Sequence, residues 1–243
     1  MLSYEMEEIP SDLENLETLL KKYEGEIGNI IITPLSRAKS QCHNFLKKEK
    51  WGYSDIVLSF ENIDLGRKVR PIGIQTGTVQ IKISVETESA NNMTDSKYSF
   101  SKYLFAVKIS GEAFDSKAEV FNCISSWHLD KNIPSETPEF SHPEYHLQFG
   151  GKEMIDADLD YGSLLLLESP RISHPPMDLI LGIDFVLRNY FSREKIKKLI
   201  REKQYIEIRN RAIKRMYSIY YSFISKRINA NNMDDSDFNK FIS

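Results

Sequence analysis

Four of the five histidines in this 243-residue chain fall in a single window, residues 127–174. They sit in three runs: Trp127-His128-Leu129-Asp130, then His142-Pro143-Glu144-Tyr145-His146-Leu147-Gln148-Phe149-Gly150-Gly151, then Arg171-Ile172-Ser173-His174-Pro175-Pro176. Imidazole is the side chain most used for proton transfer and metal ligation near neutral pH. Strand alternation decides which of these groups can meet. Residues two apart share a face of a strand. Ser126, His128 and Asp130 therefore form one face of a strand ending near residue 130, and His146 shares a face with Gln148. If these two strands are antiparallel neighbours joined by residues 131–142, His128/Asp130 and His146/Gln148 become cross-strand pairs. His128 and His146 then read as an acid–base pair, with Asp130 the carboxylate that orients an imidazole.

Two further groups complete the expected site. His174 is kept extended by the prolines that follow it. It is expected at the positive end of the next helix, where an anion is favoured. Arg171 offers a planar fork suited to phosphate or carboxylate. The expectation is a polar cleft of catalytic His128, Asp130, His146 and His174, with Arg171 and Gln148 binding a phosphodiester or another anion. The bland alternative is a set of structural hydrogen bonds: His128 ending a strand, His142 in a turn before Pro143, His174 capping a helix. Metal spacing is weak. His142 and His146 would share an ion on a helix, but extended chain separates them by about 13 Å. His128, His146 and His174 could converge only through the tertiary fold, and no metal is assigned. Asp156, Asp158 and Asp160 resemble the start of a calcium loop, yet Gly162 and Glu168 each fall one place late, so an acidic turn is expected. No glycine-rich phosphate loop, dinucleotide fingerprint or nucleophile elbow is present, and no cofactor is expected. Gly150-Gly151 reads as a turn.

The elements that must position these residues follow from periodicity. Ser11-Asp12-Leu13-Glu14 has the form of a capping box. Leu13, Leu16, Leu19, Leu20 and Tyr23 continue it at helical spacing, with Gly25 as the residue past the end. Thr33-Pro34 opens a second helix to about Lys50. From Tyr53 the period becomes two: Ile56, Leu58 and Phe60; Val79, Ile81, Ile83 and Val85; then 103–109, 118–129, 145–149 and 163–167. A helix from Pro176 to about Tyr190 is apolar nearly all round, the mark of burial on most sides. Within it Asp184 is expected to pair with Arg188, four residues on. Helices from Ser192 to about Ile228 close the chain. Strands in succession rather than alternating with helices favour α+β: a central, mainly antiparallel sheet flanked by N-terminal and C-terminal helices. Residues 1–50, 51–190 and 191–243 are read as three segments of one compact domain.

Charge is divided unevenly. Residues 192–227 hold twelve Lys or Arg against three Glu, a net +9 within a chain of net −3, while the first 26 residues are acidic. The acidic helix can neutralise the basic one internally, or the basic face can meet RNA or DNA. Lys197, Lys198, Arg201, Arg211 and Arg215 are the outward candidates for nucleic-acid contact. Ile213, Met216, Tyr217, Tyr220 and Ile224 form a packing stripe. Cys42 and Cys123 lack metal or redox spacing. The acidic N-terminus lacks an apolar leader, and no run approaches the roughly 20 apolar residues of a membrane span. A cytoplasmic protein with no membrane partner is expected.

The order Trp-His-Leu-Asp, His-Pro-x-x-His-Leu-x-Phe-Gly-Gly, Pro-Arg-Ile-x-His-Pro-Pro and then an apolar helix resembles a pattern in uncharacterised bacterial proteins. It is also similar in layout to small ribonuclease-like toxins of toxin–antitoxin pairs, over about residues 120–190. That resemblance implies a nucleic-acid-directed, metal-independent RNase-like effector of toxin or antiviral-defence type. The alternative is a non-enzymatic adaptor or subunit that docks partner proteins through its charged terminal helices.

Overall fold

Among the described residues, seven strands pair antiparallel in sequence order, each with the next. They are β1 (Ile30–Ile31), β2 (Gly52–Asp64), β3 (Thr76–Thr87), β4 (Phe100–Phe114), β5 (Val120–Lys131), β6 (Tyr145–Phe149) and β7 (Ile172–Ser173). The helices are α1 (Ile9–Lys22), α2 (Glu24–Ile27), α3 (Thr33–Leu46), α4 (Leu179–Tyr190), α5 (Arg193–Ile196) and α6 (Lys203–Ile228), with a 3-10 turn at Leu199–Arg201. The computed structural model describes residues 7–48, 50–64, 76–87, 100–114, 120–131, 143, 145–151, 154 and 171–229. The fold is α+β. His142, the Asp156–Asp160 turn and the strand expected at 163–167 lie outside the described residues.

Alternation puts the apolar side chains on one face. Ile81 stands across from Val107, which stands across from Trp127; Ile83, Phe105 and Leu129 make the adjacent row. Val79, Ile81, Ile83, Val85, Phe105, Val107 and Leu129 are fully buried there. Two extra residues keep β2 in phase with this face. The register slips by one between Tyr53 and Ile56 and again between Phe60 and Ile63, at bulges where Asp55 and Asn62 take positive φ. Without them Tyr53 and Ile63 would turn to the opposite face. The Ser84 hydroxyl accepts from the Asp55 backbone N–H at 2.9 Å and helps hold the first bulge.

Helix α4 lies on the apolar face. Leu179, Ile183, Val186 and Leu187 are fully buried, each contributing about 1.5–3 kcal/mol. Gly182 admits Phe105: a Cβ there would stand 2.5 Å from the ring. The helix starts at Leu179 rather than Pro176, because Asp178 is the N-cap and accepts from the Leu181 N–H at 2.9 Å. Helix α3 begins at Thr33-Pro34 as its proline predicts. The capping box does not form. Helix α1 starts earlier, at Ile9 with Pro10 in its first turn, and Ser11 Oγ accepts from the Asn15 side chain. Proline fixes the helical φ and lacks the N–H that a cap would serve, so entry at Pro10 displaces the later signal. Gly25 lies inside α2 rather than past a helix end.

Ion pairs join the two ends of the chain. Asp12 on α1 is bound by Arg211 Nη2 at 2.5 Å and Arg215 Nη1 at 2.9 Å on α6. Lys22 and Tyr23 both donate to Glu202, and Lys198 reaches Glu26 at 2.7 Å. One continuous hydrophobic cluster draws residues from the N-terminal helices, the sheet and the C-terminal helices.

Candidate functional site

Strands β5 and β6 bring His128, Asp130 and His146 together on the sheet face opposite α4. Their register sets His128 across from Gln148 and Asp130 across from His146. The Asp130 carboxylate bridges the two imidazoles. His146 Nε2 lies 2.8 Å from its Oδ1, and His128 Nε2 lies 3.8 Å from its Oδ2. The rings are nearly perpendicular, with centroids 6.3 Å apart.

The two histidines differ in access. His146 is 1% exposed, and its Nδ1 lies 3.4 Å from the Pro143 carbonyl. His128 keeps 21% of its side chain open and Asp130 keeps 37%. Of the two imidazoles expected to act as an acid–base pair, His128 is the more open. His146 anchors Asp130 from within. Gln148 and Ser126, on the same face, are buried as well.

A turn finishes the site. Gly150 donates to the Ser126 carbonyl at 2.8 Å, extending the β5–β6 ladder by one bond. Gly151, at φ +87°, then passes over the His128 ring. A Cβ at Gly151 would lie 2.8 Å from Cε1 and 2.9 Å from Nδ1. The absence of a side chain at Gly151 thus leaves room for the His128 ring. In the sequence Gly151 signalled only a turn.

Arg171 and His174 part company at β7. The ladder pairs His146 with Ser173 and Leu147 with Ile172. Continued one step each way, this register sets Arg171 across from Gln148, on the face of the trio. It sets His174 across from Tyr145, and the His174 N–H donates to the Tyr145 carbonyl at 3.2 Å. No hydrogen bond or ion pair among the described residues joins His174 to His128, Asp130 or His146. The His174 Nδ1 lies 2.6 Å from the Pro175 carbonyl, and burial pushes its pKa down against the opposing pull of that carbonyl. Among the described residues, Arg171 Nε is buried without a hydrogen-bond partner.

The anion expected at the start of α4 is supplied by the protein. Asp178 caps the helix, the Tyr53 hydroxyl accepts from the Leu179 N–H at 2.6 Å, and the Tyr103 hydroxyl accepts from the Met177 N–H at 2.6 Å. Arg215 Nη2 stands 3.6 Å from the Asp178 carboxylate. Burial raises the Asp178 pKa, with the Arg215 charge and the Leu181 N–H opposing it. Arg215 is not the outward cation that the basic helix predicts. It is 6% exposed between Asp12 and Asp178, so it is unavailable to a phosphate backbone. Arg211 is half-buried against Asp12 and Glu8. Lys197 and Lys198 remain on the surface beside Glu194 and Glu26, and Arg201 is exposed. Tyr205 is buried and donates to Asp184, which also takes Arg188 at 2.8 Å. The stripe of Met216 and Tyr220 is core. Among the described residues, no helix is long and apolar enough to cross a membrane.

Comparison with known protein families, with curated proteins and with solved structures finds no match.

Proposed function

We propose that the protein is a nucleic-acid-directed RNase-like effector whose reactive group is His128. The supporting observation is the carboxylate bridge: Asp130 touches a buried imidazole on one side and faces a partly open one on the other. At 3.8 Å, His128 Nε2 is beyond a direct hydrogen bond to Asp130. The carboxylate stabilises an imidazolium by charge while Nε2 takes a proton. On RNA, His128 removes the 2′-hydroxyl proton as the 2′-oxygen attacks phosphorus. The 5′-oxygen leaves and takes a proton from solvent. Arg171, whose Nε has no hydrogen-bond partner among the described residues, supplies charge for the phosphate beside Gln148. Lys197, Lys198 and Arg201 offer phosphate contacts elsewhere on the surface. A toxin or antiviral-defence setting is the context that the strand-and-helix layout suggests.

The adaptor alternative has less support, because the charged terminal helices spend Asp12, Glu26, Glu202, Lys22, Arg211 and Arg215 on each other. The test is RNA cleavage by wild type and by His128→Ala/His146→Ala, each verified as folded by circular dichroism. The proposal expects a loss of 10²-fold or more, on the order of what one positioned acid–base group supplies. Equal cleavage by the two proteins would remove it.

A further inference from the structure

We infer that His128, Asp130 and His146 together form a binding site for one divalent transition-metal ion, with Zn²⁺ the best match. Each residue offers one ligand atom, and these atoms all lie within 4.8 Å of one another. Zinc bonds of about 2.0–2.1 Å in a tetrahedron set ligand atoms about 3.3 Å apart. His146 Nε2 lies 2.8 Å from Asp130 Oδ1 and His128 Nε2 lies 3.8 Å from Oδ2, so binding one ion requires the side chains to rotate inward from separations of up to 4.8 Å. Two imidazole nitrogens with one carboxylate select zinc, iron or copper over magnesium and calcium, which prefer all-oxygen sites.

The surroundings of His146 point the same way. A metal-bound imidazole characteristically donates its second N–H to a carbonyl or carboxylate, which fixes the tautomer. His146 Nδ1 faces the Pro143 carbonyl at 3.4 Å, leaving Nε2 to face Asp130 and His128. That is the orientation a ligand needs. The ring of the second ligand, His128, lies close beside Gly151, where a Cβ would stand 2.8 Å from it. Three protein ligands leave a fourth position on zinc for water, and Asp130 and His128 are open enough to admit it.

Binding stands on this geometry alone, and its consequence rests on the proposed function. A metal on His128 Nε2 takes the lone pair that accepts the proton. Zinc therefore inhibits RNA cleavage, and a chelator restores it. The experiment has a binding arm and an activity arm. Chelator-treated full-length protein is titrated with Zn²⁺ by calorimetry, and with Co²⁺ as an optical probe of nitrogen and oxygen ligation. The expected result is one equivalent bound by wild type, with affinity at least about 100-fold weaker in His128→Ala and in Asp130→Asn. His128 is partly exposed, so its variant tests the site without opening the core; folding is checked by circular dichroism. No saturable binding by wild type, or equal binding by the variants, overturns the site. In the activity arm, cleavage that falls with stoichiometric zinc supports the inhibitory consequence, and cleavage abolished by chelator overturns it. The binding arm reads out even if no RNA is cleaved, so the two proposals fail separately.

Discussion

Replacing Gly151 by alanine tests whether the His128 ring is held by backbone contact. Gly150 and Gly151 both have positive φ, at +91° and +87°, but only Gly151 has a neighbour. A Cβ at Gly150 meets nothing within 4 Å, whereas one at Gly151 meets His128 at 2.8 Å. Both alanine variants carry the strain of a left-handed backbone, about 1–2 kcal/mol. Ordinary contact begins at 3.4 Å, so the ring must also give way in Gly151→Ala. A ring pushed some 30° off its rotamer costs about 0.5–1.5 kcal/mol more. Urea denaturation should therefore find Gly151→Ala less stable than Gly150→Ala by about 1 kcal/mol. The extra cost should vanish in a His128→Ala background, where no ring remains to clash. That non-additivity is the signature of direct contact. Equal stability of the two single variants, or an unchanged difference without His128, would refute the reasoning.

Asp12→Asn should cost about 3–5 kcal/mol in the same assay, because it takes one carboxylate charge from the buried Arg215; a loss under 1 kcal/mol would show that the network carries little. The acid limb of stability should depend on His174. Burial lowers its pKa in the folded protein, so the unfolded chain binds the proton more tightly. Stability is then present above the unfolded value of about 6.5 and falls as pH drops below it. Against His174→Gln, wild type should lose stability between about pH 7 and pH 5, and parallel curves would exclude His174 as the source. Reversing Lys197, Lys198 and Arg201 to Glu should flatten the salt dependence of RNA association by about 2–3 in log–log slope, as read by fluorescence anisotropy; an unchanged slope would place the RNA contacts elsewhere.

The pairing of the trio was legible because a strand has an exact period of two. Counting placed His128 with Asp130 and His146 with Gln148 on faces that could meet, and the register of β5 with β6 then sets His128 across from Gln148 and Asp130 across from His146. The ion pair of Asp184 with Arg188 was legible for the same reason at helical spacing. What lay beyond counting was depth and long-range partnership. Nothing local distinguishes His146, almost wholly buried, from His128, partly open. Arg215 reads as one more cation on a basic helix, and its burial depends on Asp12, some 200 residues away. The positive φ of Asp55 and Asn62 carried a faint signal, since Asp and Asn tolerate that region best. The bulges themselves become visible only against the register of β3. The helix-end anion site failed because tyrosine hydroxyls from β2 and β4 supply the missing acceptors, and no pattern near Pro176 announces them.

The central claim is that His128, beside the Asp130 carboxylate that His146 anchors, is the reactive group of the protein. The most direct measurement is the rate of cleavage of single-stranded RNA by metal-free wild type and by metal-free His128→Ala. The account predicts measurable cleavage by wild type and a loss of at least about 10²-fold in the folded variant. Equal rates in the two proteins, or no cleavage by wild type at all, would contradict it.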